Sequence, residues 1–276
     1  LRILQNMNHV IPIYKIKPLN TLRDLKISLP NSFLREKISL FKASTPKGRV
    51  ALFAGCTVNF LYPGIGMSLI KSLNALSYDV ILPRGEVCCG APLMGLGIEE
   101  DTIKIAEKNI KLYKDLNVDA VIGLCPTCIY FIKDQYKKIY GEGIDNALEI
   151  SQFVVDKLKE KKEMPLTTVI YHHPCHSLYN LNIKSEPKKI LNIMGIHLIE
   201  PKDTGCCGFG GTFRLSYKGL SEDILKKRIE DYKEADMILT SCPNCILQFK
   251  SRLKDKPVKH IAELLLEYLK GDKDES

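Results

Sequence analysis

Apolar residues along the chain fall into short uninterrupted runs. Longer stretches separate them, in which apolar and charged positions recur every three or four residues. Arg49–Ala54 (RVALFA), Tyr78–Leu82 (YDVIL) and Asp119–Leu124 (DAVIGL) have the length and aliphatic content of buried strands. Gly64–Leu76 and Ile98–Leu116, which lie between them, have helical spacing, the second with many charges along one side. The same alternation returns further on. Thr167–Tyr171, Ile196–Glu200 and Met237–Thr240 read as strands, and Glu186–Met194, Leu220–Ala235 and His260–Lys270 as helices. Strands alternating with helices predict a parallel sheet with helices on its faces. The expected class is therefore α/β, with two tandem pseudo-repeats, each a small parallel sheet flanked by helices.

The cysteines strengthen the case for repetition. They are Cys56, Cys88, Cys89, Cys125 and Cys128, then Cys175, Cys206, Cys207, Cys242 and Cys245. Written as spacings, the two sets are C-x31-CC-x35-C-x2-C and C-x30-CC-x34-C-x2-C, offset by 117 to 119 residues. The flanks agree as well. Val87-Cys88-Cys89-Gly90 matches Gly205-Cys206-Cys207-Gly208, and Cys125-Pro126-Thr127-Cys128 matches Cys242-Pro243-Asn244-Cys245. A lone C-x2-C says little, whereas two copies of a five-cysteine pattern imply internal duplication. The expected organisation is a first cysteine-bearing domain over 49–163 and a second over 164–276, preceded by a segment 1–48. Each cysteine group follows a predicted strand, so all of them fall at C-terminal strand ends. Ligands of parallel sheets gather there, and residues more than 30 positions apart can converge there on a pocket in each half.

Composition narrows the chemistry. At 276 residues, 45% apolar and 26% charged, the chain can bury one large core or two modest ones. No apolar run approaches the roughly 18 residues that span a bilayer. The first residues lack the apolar core and cleavage site of a secretory signal. The expectation is a cytoplasmic protein, with membrane association only peripheral or through a partner. Patterned cysteines in a reducing compartment point to metal or redox chemistry rather than structural disulfides. The net charge of +8 is concentrated in 1–48, where nine basic and two acidic residues give 9 − 2 = +7. Such a basic N-terminal arm either wraps its own domain or docks on an acidic partner, anionic lipid or nucleic acid. Nucleic acid is the least expected, because no base-stacking aromatics cluster in the segment.

Five cysteines per half exceed the four that close a zinc site or hold an ordinary iron–sulfur cluster. Either a larger iron–sulfur assembly uses all five, or a free reactive cysteine stands beside a four-cysteine site, with zinc an option for one half. Disulfides within Cys88-Cys89 or Cys206-Cys207 would strain the peptide between them. Gly90, Gly208, Gly210 and Gly211 would let the backbone approach a bound cofactor closely, or serve as ordinary turns. Pro126 and Pro243 suit a first helical turn, and helix N-termini favour an anionic cluster. His172, His173 and His176 flank Cys175. His176, which directly follows the cysteine, is the preferred group to hydrogen-bond a cluster, against a reading of all three as strand-end packing. His260 is expected to be structural. Arg214 and Lys218 either bind an anion or form a solvated helix face. No Ser/His/Asp arrangement, phosphate loop or dinucleotide fingerprint is present.

From Arg49 to Leu269 the chain resembles the CCG-motif, or cysteine-rich domain, family of iron–sulfur oxidoreductases. The likeness rests on Val50-Ala-Leu-Phe-Ala-Gly-Cys56 through Tyr62-Pro63, Glu86-Val-Cys-Cys-Gly-Ala-Pro92, Tyr171-His-His-Pro-Cys-His176 and Cys206-Cys-Gly-Phe-Gly-Gly-Thr-Phe213. Members include the cysteine-rich subunit of heterodisulfide reductase and the iron–sulfur subunits of glycolate, lactate and anaerobic glycerol-3-phosphate dehydrogenases. The resemblance implies a noncubane [4Fe-4S] cluster held by each five-cysteine set. It also implies a role passing electrons from a flavoprotein to a quinone or similar acceptor. The alternative it implies is a catalytic subunit that cleaves a disulfide or heterodisulfide at the cluster. A zinc-stabilised binding module is a third reading. The dehydrogenase-type members carry a ferredoxin domain with C-x2-C-x2-C-x3-C-P runs, whereas residues 1–48 hold no cysteine. Electrons are then expected from a separate ferredoxin-type or flavoprotein subunit, or the chain is a truncated product.

Overall fold

The computed structural model describes residues 25, 27, 29–36, 39–159 and 168–270. Most of the basic arm thus lies outside the described residues. What is described of its end is folded onto the first half: Leu34 is buried, and β1 (Leu40–Phe41) joins the first sheet.

Five strands form that sheet in the order β1-β3-β2-β4-β5, with β2 Gly48–Phe53, β3 Tyr78–Ile81, β4 Ala120–Gly123 and β5 Ala147–Glu149. Only the β1–β3 pairing is antiparallel. The second sheet runs β7-β6-β8-β9, all parallel, from β6 Thr168–His172, β7 His197–Ile199, β8 Met237–Thr240 and β9 Val258–His260. Apart from β1, the two sheets have the same strand order. Central strands covered on both faces need continuous apolar runs. Accordingly Val50, Ala51, Leu52 and Phe53 of β2 are all buried, as are Val169, Ile170 and Tyr171 of β6.

The halves pack as a twofold-related pair, because contacts across the boundary come in reciprocal couples. Helix Pro63–Ala75 of the first half packs on Ile261–Lys270 of the second, and Ile150–Val154 packs on Glu186–Ile193 in return. Thr57 Oγ1 donates to Asn244 Oδ1 at 2.8 Å; its counterpart is Thr127 Oγ1 against His176 Nδ1 at 3.2 Å. His260 Nε2 reaches the Leu124 carbonyl at 2.9 Å, and Glu149 at the equivalent strand end reaches Ser241. His260 is buried and structural, as expected. The buried faces of Pro63–Ala75 and Ile261–Lys270 carry Leu69, Ile70, Leu73, Leu264 and Leu265. Each such side chain contributes roughly 1.5–3 kcal/mol by leaving water. This joins the halves at one core, and both sets of C-terminal strand ends meet at the boundary.

Candidate metal centre

Each cysteine group lies beyond the C-terminal end of a strand, the two CC pairs in the loops after β3 and β7. Cys56 lies in the helix Gly55–Phe60 that follows β2, and Cys175 precedes the π-helical turn His176–Asn180 after β6. Cys125 and Cys242 are the N-cap residues of Pro126–Tyr130 and Pro243–Lys250, with Pro126 and Pro243 in the first turn. Such a proline gives up an N–H that has no helical partner anyway, leaving the next amides free to face sulfur. The amides of Thr127 and Cys128 do so at Cys125.

All ten cysteines are free thiols. Their side chains form one connected series. Within the first half, contacts run Cys56–Cys88–Cys89–Cys128–Cys125. Within the second they run Cys175–Cys206–Cys207–Cys245–Cys242, the same order of equivalent positions. Cys125 meets Cys242 and closes the series across the pseudo-twofold axis. The Cys207 and Cys245 sulfurs are 3.3 Å apart. Where separate pockets were expected, a single cavity of about 200 Å³ lies between the halves, lined by every cysteine except Cys88. Phe131, Phe209 and Pro92 supply apolar wall, and His176 and Asn244 line it too.

Protons are unevenly held along the series. The Cys206 thiol is drawn down to about 2, first by the hydrogen bond from Cys175 and then by that from Cys207, with the Gly208 amide also donating at 3.3 Å. Cys175 is correspondingly pushed up by its bond to Cys206 and by burial. Cys89 is lowered to about 6, chiefly by Cys128, whereas Cys88 rises to about 11. Ten clustered thiols cannot all ionise against their mutual repulsion without a cation among them. The set fits an iron–sulfur group: soft thiolate donors, six of them buried and four half-buried, and backbone amides aimed at sulfur.

The residues behind the cysteines differ between halves. In the first, buried Glu86 accepts from the Ala54 amide at 2.9 Å, the Gly55 amide at 2.8 Å and the Tyr113 hydroxyl at 2.8 Å, with Arg35 at 3.5 Å. Burial raises its carboxyl pKa, and these partners oppose the rise. Asn109 Nδ2 holds the Cys88 carbonyl at 3.0 Å. In the second half, His172 is buried with Nδ1 2.9 Å from the Tyr232 hydroxyl. Its Nε2 has no hydrogen-bond partner, and a ring nitrogen of His172 groups with the Cys207 and Cys245 sulfurs, all within 4.8 Å of one another. Burial lowers His172 to about 3, so its ring is neutral.

The sequence-predicted residues fare unequally. His176 lines the cavity, its Nδ1 3.7 Å from Cys175 Sγ. His173 is buried against the Tyr171 ring instead. Gly210 and Gly211 line the cavity, but Gly90 and Gly208 do not. Those two turn the chain left-handed at φ +89° and +84° so that it passes close to a helix. A β-carbon would meet Thr102 Cγ2 at 2.9 Å from Gly90, and the Ser221 carbonyl oxygen at 2.6 Å from Gly208. Arg214 does not form a solvated face. It is buried and paired with Glu222 at 3.1 Å, while Lys218 is exposed. Glu86, Tyr232 and Arg228 were missed. Only Glu86 had a signal in the sequence, being the one acidic residue just ahead of a CC pair.

Comparison with known proteins places this arrangement. A family model, described as a cysteine-rich domain of the CCG type, matches twice, over residues 50–133 and 169–250. The chain belongs to the CCG cysteine-rich domain family. It is 34% identical over 230 residues to a subunit of the fumarate reductase (CoM/CoB) of Methanothermobacter marburgensis, covering 80% of this chain and 46% of that protein. An uncharacterized iron–sulfur protein of Methanococcus maripaludis is 34% identical over 249 residues, covering 85% of this chain and 49% of that protein. Lactate utilization protein A 2 of Bacillus cereus (strain Q1) is 27% identical over 237 residues, covering 79% of this chain and 97% of that protein. The CCG chain thus spans about half the length of the first two relatives. Among solved structures, a hypothetical protein from Helicobacter pylori shares the fold with a TM-score of 0.56 at 14% identity, covering 96% of this chain and 57% of that one. No helix among the described residues is long and apolar enough to cross a membrane.

Proposed function

We propose that this chain is an iron–sulfur electron-transfer subunit of a redox complex, holding one noncubane [4Fe-4S] cluster in each half. Cys56, Cys88, Cys89, Cys125 and Cys128 would hold the first, and Cys175, Cys206, Cys207, Cys242 and Cys245 the second. The observation that carries this reading is the unbroken series of ten thiols joined at Cys125 and Cys242, which supports two five-cysteine sites side by side. When bound, such clusters supply one-electron storage. The chain's own residues fix the cysteines in place. Asn244 bridges the halves from Thr57 to the Cys125 sulfur, and Thr127 orients His176 against Cys175. Electrons enter from a ferredoxin-type or flavoprotein subunit and leave to a quinone or similar acceptor, with the chain on the cytoplasmic side.

The test is anaerobic purification followed by iron, sulfide and zinc quantitation, with EPR of the oxidised and dithionite-reduced protein. About eight irons per chain and two reducible signals are expected. A redox-silent chain would overturn the proposal, and zinc in place of iron in one half would reduce it to a single cluster.

The cavity itself favours a second reading. It opens between both sulfur sets and has an apolar wall, so a small disulfide could bind in contact with both. Two electrons and two protons would release it as two thiols, with His176 placed to pass a proton. The relative named for CoM and CoB makes those coenzymes the first compounds to assay. Turnover of their heterodisulfide with reduced viologen supports this role, and inactivity across a disulfide panel with clusters intact removes it.

A further inference from the structure

The duplication provides an internal control for the environment of each sulfur set. Counting from Cys56 and Cys175, Phe53 and His172 are equivalent, and so are Tyr113 and Tyr232. Both pairs keep their rings in contact, with centroids 5.6 Å apart and tilted by 35° in the first half, and 5.9 Å apart and edge-on at 61° in the second. What changes is the edge presented to the cysteines. Phe53 offers only carbon, whereas the His172 ring, grouped through a nitrogen with the Cys207 and Cys245 sulfurs, carries in Nε2 a fully buried polar atom with no partner. Leaving such an atom unsatisfied is costly, so its place beside the sulfurs calls for a partner there.

The ring's tautomer follows from what surrounds it. Tyr232 interacts with the Arg228 guanidinium as well as with His172. The guanidinium lies over the Tyr232 ring, its carbon 5.8 Å from the centroid, and the Tyr232 hydroxyl, 2.9 Å from His172 Nδ1, can donate its proton there. A neutral imidazole whose Nδ1 accepts carries its proton on Nε2. Nε2 is then a donor rather than a lone pair free to bind iron.

We propose that His172, oriented by Tyr232, donates an Nε2–H hydrogen bond to sulfur at the Cys207/Cys245 end of the second set, and so makes the second-half centre the higher-potential one of the pair. A hydrogen bond to a ligand or cluster sulfur withdraws electron density and stabilises the reduced state. Electrons entering the chain therefore settle on the second half. His172 is a positioning residue for the electron, distinct from His176 at the other end of the series. The inference rests on the proposed clusters.

The test is a potentiometric titration followed by EPR on anaerobically purified protein, comparing wild type with His172→Phe, which installs the first-half residue, and His172→Gln, which keeps an N–H. His172→Phe should lower one midpoint potential by at least a tenfold change in the oxidised-to-reduced ratio, about 59 mV for a one-electron couple. The other midpoint should stay in place, and His172→Gln should recover part of the shift. Tyr232→Phe, which frees the tautomer, should produce a smaller shift of the same sign. On wild-type protein labelled with ¹⁵N-histidine, pulsed EPR should show a weak nitrogen coupling on one reduced centre only. That last measurement needs no variant to fold. Unchanged potentials in His172→Phe, or no nitrogen coupling, would overturn the proposal. A strong coupling of the size of a direct iron–nitrogen bond would overturn it in favour of ligation. Absence of any cluster signal in wild type would instead be the failure of the proposed function, and so is distinguishable.

Discussion

The two halves present their sulfurs in one order and support them by different chemistry. Equivalent cysteines touch equivalent cysteines, and equivalent prolines and left-handed glycines shape the turns around them. Behind the first set stands a buried carboxylate, Glu86, tied to two backbone amides, a tyrosine and Arg35. Behind the second stand a neutral histidine and Arg228, which is buried and paired with Asp203 at 3.1 Å and Asp231 at 3.2 Å. Arg228 occupies the position equivalent to Asn109. Duplication therefore kept the cysteine geometry and let the electrostatics diverge. With the proposed cluster in each half, such a divergence would give electron flow a direction.

The most severe way to break the comparison is to remove one ligand from each half in turn. Cys89→Ser and Cys207→Ser exchange a buried soft donor for a hard oxygen at equivalent positions. Each variant should lose about half of the iron and keep the EPR signal of the opposite half. Complete iron loss from either one would mean that the ten sulfurs act as a single assembly, joined through Cys125 and Cys242.

Support behind the cysteines should show the next largest effect, and an unequal one. Glu86→Ala leaves the Ala54 and Gly55 amides and Arg35 facing a void, a broken buried network worth about 3–5 kcal/mol. Arg228→Met removes a pair whose main partner, Asp203, is about half exposed and can return to water, so the cost should be about 1–3 kcal/mol. Thermal unfolding of the purified chains should rank them in that order, and a reversal would show that the second half depends on its arginine as much as the first on its carboxylate.

The paired glycines give a smaller and sharper contrast. Alanine at either Gly90 or Gly208 forces a side chain into a left-handed backbone, at about 1–2 kcal/mol. At Gly90 the new carbon meets a threonine methyl that can move. At Gly208 it meets a carbonyl oxygen inside a helix, which cannot move without disturbing Lys218–Asp231. Gly208→Ala should therefore unfold at the lower temperature of the two.

Much of this was legible in the sequence because it depends on local pattern. The six apolar runs became strands β2, β3, β4, β6, β7 and β8, and every cysteine lies beyond the C-terminal end of one of them. Strands β1, β5 and β9, of two or three residues each, lie outside those apolar runs; they are strands because a neighbouring edge is available to pair with. The merging of two sites into one cavity was not legible. It depends on how the halves pack, which reciprocal contacts such as Thr57–Asn244 and His260–Leu124 decide over separations of more than 130 residues. The histidines show the same limit. Adjacency to Cys175 singled out His176, but it is strand pleating that carries His172, three residues earlier, to the other end of the sulfur series beside Cys207 and Cys245.

The smallest predicted difference lies far from sulfur, at the start of the central strands. Asp119 Oδ2 accepts the Arg49 amide at 2.8 Å, and at the equivalent place Asp236 Oδ2 accepts both the Thr168 amide at 2.9 Å and the Thr168 hydroxyl at 2.6 Å. The Thr168 hydroxyl, then the Thr168 amide and more weakly Lys256, hold Asp236 below its ordinary 3.8. A carboxylate whose folded pKa is depressed adds stability that is fully present above the unfolded value and disappears as pH falls through the folded one. Asp236→Asn should therefore lower the melting temperature by no more than a few degrees at neutral pH, and more than Asp119→Asn does. The gap to wild type should close as the pH is taken down through 3.8 and past the lower folded value, below which the wild-type carboxyl is itself neutral. A gap that persisted unchanged in acid would mean that the strand-start bonds, rather than the charge they stabilise, account for the difference between the halves.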